Sequence, residues 1–166
     1  MLNQNTAHQE RRTQDRRQQS HSLINDLIDT RTKMLILYSK LAANKSLEPE
    51  NSLPDVLQEF CQTLIDYTAS AHFHMYRHIE EKMEKRIQIK KLAESVYPRI
   101  MSTTKTIIDF NDNYDSWSKV TSQEKLEADL SILGEQLAER IELEDKIIEA
   151  LSSTRSPDTN KATLHS

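Results

Sequence analysis

Apolar positions recur at helical spacing along most of this chain. Leu23, Ile24, Leu27, Ile28, Met34, Leu35, Tyr38 and Leu41 advance in steps of three and four, which predicts a first helix from about Ser20 to Ala43. Pro49 and Pro54 mark a connection over Asn44–Pro54, and Pro54 also suits the first turn of the next helix. A second helix follows, with Leu57, Leu64, Ala71, Met75 and Ile79 on one stripe as far as about Met83. The charged stretch Glu84–Arg86 predicts a turn or kink. Ile87, Leu92, Val96, Ile100, Ile107 and Phe110 predict a third helix, kinked or split at Pro98.

Asn111–Thr121, rich in Asn and Asp, reads as a second connection. Thr121 or Ser122 caps a last helix striped by Leu126, Leu130, Leu133, Leu137, Ile141, Ile147 and Ile148. Gly134 is the sole glycine and falls inside this helix, where it costs about 1 kcal/mol relative to alanine. Its retention predicts close approach of a neighbour. The expected fold is all-α, an antiparallel bundle of four main helices. Residues 1–17 read as a polar N-terminal tail or frayed helix, 18–151 as the bundle domain and 152–166 as a disordered C-terminal tail.

The second helix carries an anomaly. At 100° per residue, Leu57, Phe60, Cys61, Leu64, Thr68, Ala71 and Met75 gather on one side. Asp66 and Phe73 fall opposite, among Glu59, Gln62, Ser70 and Arg77. A helix that buries one stripe has no folding reason to place phenylalanine there. Either the helix is buried all round or that face meets a partner. A half-exposed aromatic beside a carboxylate would give a partner an apolar anchor and an orienting charge.

Composition agrees with helices. One Gly and four Pro among 166 residues leave few turns for a sheet, and 29% of the residues are charged. Cys61 is the single cysteine, so no internal disulfide can form, and its place on the stripe predicts an inert buried thiol. The N-terminus lacks the apolar core of a secretory signal, and no run reaches the roughly 20 apolar residues of a membrane span. The expectation is a cytoplasmic protein without a membrane partner.

The formal net charge of −4 is unevenly spread. Asp109–Ala150 holds twelve acids against four Lys/Arg, whereas Arg77–Lys91 holds six basic residues against three acidic ones. An acidic C-terminal half repels DNA and attracts a basic protein. Direct nucleic-acid binding is therefore not expected. The basic run Lys82–Lys91, interrupted by Glu84, reads as a solvated loop, and Trp117 in the second connection reads as a core anchor in preference to an interface residue.

Catalytic chemistry finds little support. One glycine rules out a Gly-rich phosphate loop or a nucleophile elbow. His72, His74 and His78 with Glu142, Glu144 and Asp145 could form a metal site between helices, but the Glu-x-x-His spacing of such sites is missing. Glu144 and Asp145, adjacent in sequence, read as a solvated face. No cofactor is expected, and a metal-binding bundle remains the alternative to a protein-binding one, beside a scaffold for some other partner.

Four blocks of sequence carry a resemblance: LQEFCQTLIDY at Leu57–Tyr67, AHFHMY at Ala71–Tyr76, LAESVYPRI at Leu92–Ile100 and LGEQLAERIELEDKII at Leu133–Ile148. In this order, over Leu23–Leu151, they resemble the Rsd/AlgQ family, the regulators of sigma D. That resemblance implies a non-catalytic helical bundle, an anti-sigma factor that binds region four of the housekeeping sigma factor of RNA polymerase. It implies that Asp66 and Phe73 contact sigma, with Tyr67, His72 and Tyr76 at the same interface as contacts or supports. Glu144 and Asp145 would have a rim or supporting role. The family's glycine before His-Phe is Ala71 here, and its first-helix tryptophan corresponds to Leu27. Oligomeric state is left open.

Overall fold

The computed structural model describes residues 2–43, 52–76 and 87–153. Within them the chain forms four long α-helices and no strand: α1 (Leu2–Ala42), α2 (Leu53–Ser70), α3 (Ile87–Tyr114) and α4 (Gln123–Ser153). A π-helical turn, Ala71–Tyr76, continues α2, and a 3-10 turn, Trp117–Lys119, lies between α3 and α4. The stretch expected as an N-terminal tail or frayed helix is the first part of α1, with residues 4–12 exposed. The C-terminal tail from residue 154 and the turn at Glu84–Arg86 lie outside the described residues.

Local chemistry accounts for the helix starts. Ser52 caps α2, its hydroxyl accepting from the Asp55 amide at 3.4 Å, and Pro54 stands in the first turn, where its missing N–H is no loss. Ser122 caps α4 in the same way, accepting from the Lys125 amide at 3.1 Å. Pro98 does not split α3, which is helical from Ile87 to Tyr114. The carbonyl deprived of its i+4 partner belongs to Glu94, and both residues are exposed, so water can satisfy it.

The core is a single apolar cluster drawn from all four helices, including Leu27, Met34, Leu64, Ile107, Leu133 and Ile147. An aromatic chain runs through it, from Tyr38 to Phe60 (6.0 Å between centroids), Phe110 (5.9 Å) and Tyr114 (4.7 Å). Ion pairs and hydrogen bonds onto α4 step in opposite directions. Arg31 of α1 meets Asp145 and Tyr38 meets Leu130, while Arg99 of α3 meets Glu139 and Tyr114 meets Asp129.

Gly134 has the close neighbour its position predicts. A Cβ there would lie 2.1 Å from Tyr38 Oη, the hydroxyl that donates to the Leu130 carbonyl at 2.9 Å. Three apolar assignments are corrected. Ile28 and Leu35 are each 36% exposed, because the α1 core stripe is centred on Leu27, Met34, Leu37 and Leu41. Trp117 is no core anchor, since it projects from the 3-10 turn with 43% exposure.

Candidate protein-binding face

The α2 stripe and its opposite side are cleanly separated. Val56, Leu57, Phe60, Cys61, Leu64 and Tyr67 are buried, while Glu59, Gln62 and Asp66 are exposed. The helix is thus not buried all round. Phe73, at 57% exposure, stands on the π turn with its ring edge-on to exposed His72, 5.2 Å between centroids. An exposed phenylalanine at this position has no role in the core.

The π turn changes the register by which the face is read. Its bonds run from i to i+5, so residues beyond Ser70 advance less per step than an α-helix would carry them. Just before it, the Thr68 hydroxyl donates back to the Leu64 carbonyl at 2.8 Å, a bond that loosens the local ladder. Ala71 opens the turn fully buried. Such turns recur at functional sites. No spacing rule in the sequence signals one.

Beneath Asp66 the structure places a buried polar cluster that joins all four helices. Tyr67 of α2 is fully buried, and its phenol donates to Glu144 Oε1 on α4. Glu144, also fully buried, lies 3.6 Å from Arg140 Nε and 3.9 Å from Arg31 Nη1 of α1. Arg140 donates to Thr104 Oγ1 at 2.7 Å and Thr103 Oγ1 at 3.2 Å on α3, with its guanidinium 5.6 Å from the centre of the Tyr67 ring. Arg31 also donates to Asp145 at 2.9 Å. Two guanidinium groups thus balance two carboxylates, the condition under which buried charge is tolerable.

This placement corrects the expectation that Glu144 lies on a solvated face and narrows the roles left open for Tyr67 and Glu144. Tyr67, expected as a contact or a support, is fully buried, which leaves it no exposed surface for a contact. Glu144 is neither a rim residue nor part of a solvated face, whereas Asp145, with a 55% exposed side chain, lies at the surface. Arg140 was missed altogether. The signal was present: Leu130, Leu133, Leu137, Arg140, Glu144 and Ile147 keep the three-four step, so two charged residues occupy core-stripe positions.

The side chains of His74 and Tyr76, and all of His78, lie outside the described residues. Among the described residues no group of three or more His, Cys, Asp or Glu could hold a metal ion, and no helix is long and apolar enough to cross a membrane. The Cys61 thiol donates to the Tyr114 carbonyl at 3.4 Å. Burial, with a smaller push from Asp115, raises its pKa to about 12, so it is inert as a nucleophile at neutral pH.

The sequence profile of the family described as "Regulator of RNA polymerase sigma(70) subunit, Rsd/AlgQ" matches residues 3–152. The chain belongs to the Rsd/AlgQ family. Proteins named Regulator of sigma D are similar to it over most of their length. That of Yersinia enterocolitica is 31% identical over 134 residues, covering 78% of this chain and 80% of its own. That of Shigella boydii is 31% identical over 141 residues, covering 78% of this chain and 83% of its own. Leu27 and Ala71, where the resemblance leads one to expect tryptophan and glycine, are both fully buried.

Proposed function

We propose that this protein is an anti-sigma factor that binds region four of the housekeeping sigma factor in the cytoplasm. By covering the surfaces sigma uses for the promoter −35 element and for core polymerase, it would shift transcription toward other sigma factors. It acts by competition between folded surfaces and performs no catalysis. The reading takes the helices as an antiparallel four-helix bundle, in keeping with the opposed stepping of α1 and α3 against α4.

Exposed Phe73, on the same α2–π-turn segment as exposed Asp66, is the observation that carries this reading in a chain of the Rsd/AlgQ family. Burying an aromatic of this exposure against a partner supplies the anchor of an interface, and the carboxylate orients a basic domain. His72 stands edge-on to Phe73 and completes the exposed part of the face. Tyr67 and Glu144 hold α2 from below, and Asp145 joins them through Arg31.

The test is binding of the full chain to isolated sigma region four, followed by anisotropy of a labelled region-four fragment. Phe73→Ala and Asp66→Ala should each weaken binding by about tenfold or more, as truncating an anchor or an orienting charge does. Thermal stability should stay near wild type, since both residues are exposed. Wild-type affinity in both variants would refute the assignment of the face.

A further inference from the structure

We infer that Asp115 is a second carboxylate of the docking face and that, with Asp66, it takes a cationic side chain of sigma region four in a groove between α2 and the end of α3. The inference rests on the anti-sigma reading above and adds to it a site and a charge requirement. The groove has a volume of about 500 Å³. Gln58, Gln62 and Asp66 line it from α2, Asn111 and Asp115 line it from the opposite wall, and half-buried Ile65 supplies an apolar surface. From Gln58 to Asp66 the α2 wall extends about 12 Å, enough for a long side chain to lie along it.

Three sources of negative potential meet here. Two are the carboxylates of Asp66 and Asp115, and no lining residue is positively charged. The third is the C-terminus of α3, whose last carbonyls carry the negative end of the helix dipole and whose last turn holds no basic residue. The field reaches inward as well, since Asp115 is the charge that adds to the upward shift of the Cys61 thiol.

The protein's own chain shows which ligand this potential attracts. Lys119, from the 3-10 turn, places its ammonium 2.8 Å from Asp115 Oδ1 and 2.9 Å from the Asp112 carbonyl. Both side chains of the ion pair are close to half exposed, and such pairs contribute little to stability. The lysine is therefore a weakly held intramolecular stand-in. A guanidinium from a basic partner helix can displace it, with two polar side chains, Gln62 and Asn111, available as further acceptors. A domain that reads DNA is rich in such groups.

Two substitutions test this in the full-length protein against isolated sigma region four, at several salt concentrations. Asp115→Asn should weaken binding by roughly three- to tenfold and flatten the salt dependence, as loss of one orienting charge does. Lys119→Gln should tighten binding by roughly twofold or more, because the competitor for Asp115 is gone. Wild-type binding together with a weakened Asp66→Ala variant, but an Asp115→Asn variant within about twofold of wild type, would overturn the groove and leave the anti-sigma reading standing. Absence of binding by the wild-type protein would overturn both.

Discussion

The phenol of Tyr67, buried on α2, donates a hydrogen bond to the fully buried carboxylate of Glu144 on α4. Its chain neighbour Asp66 points the other way, into solvent. One residue therefore fixes the rotation of α2 against the bundle while the next is presented outside. Tyr67→Phe removes one donor from a buried carboxylate and should lower stability by about 1–3 kcal/mol. Urea unfolding followed by circular dichroism reads this directly, and an unchanged midpoint would show that the bond holds nothing in place.

Arg140 carries a larger share. Replacing it with methionine strips a buried carboxylate of one of its two nearby guanidinium groups, for an expected loss of about 3–5 kcal/mol. The double variant Arg140→Met with Glu144→Leu should recover most of that loss, because no excess buried charge remains. If the double variant were less stable than Arg140→Met, the charge-balance account of the cluster would fail.

Gly134 opposes two effects that can be separated. Alanine would gain about 1 kcal/mol of helix propensity. Its Cβ would also meet Tyr38 Oη at 2.1 Å, a collision relieved only by moving a ring that packs on Phe60 and bonds the Leu130 carbonyl. Gly134→Ala should therefore be destabilising, by about 1–3 kcal/mol. Adding Tyr38→Phe removes the nearest clashing atom, so the double variant should lose less than the sum of the singles. Strict additivity in a double-mutant cycle would contradict the packing described.

Alkaline pH should weaken the fold. Burial raises the pKa of the Cys61 thiol to about 12, and the phenols of Tyr38 and Tyr114 shift upward too, Tyr114 with help from its hydrogen bond to Asp129. A group whose pKa is raised in the folded state favours folding while it remains protonated. The thiol's contribution is complete below its unfolded value of about 8.5 and is lost as pH climbs toward its folded value. The phenols add to the loss from about pH 10 upward. Urea midpoints from pH 7 to 11 should fall, with the part below pH 10 absent in Cys61→Ala; a flat profile would count against it.

Much of the fold was legible from spacing and caps. The end of α1, the start of α2 near Pro54, the Ser122 cap of α4 and the close approach at Gly134 follow from residue types at particular positions. The off-stripe position of Asp66 and Phe73 was equally visible, because a stripe defines its own opposite face. Periodicity reports the phase of a residue along one helix, and that much belongs to the chain alone.

Tertiary structure decided the rest. Arg140 and Glu144 lie on the α4 stripe, yet their charge pointed to solvent; they are buried because α1, α2 and α3 bring Arg31, Tyr67 and the threonines to meet them. Ile28, Leu35 and Trp117 are hydrophobic, yet no neighbouring helix covers them fully. The π turn that sets the direction of Phe73 has no spacing signature, and Lys119 reaches Asp115 only because a 3-10 turn folds it back. For Arg140, Glu144, Ile28, Leu35 and Trp117 the sequence determined which face a residue occupies, and the helices arriving from distant parts of the chain determined whether that face is wet, paired or buried.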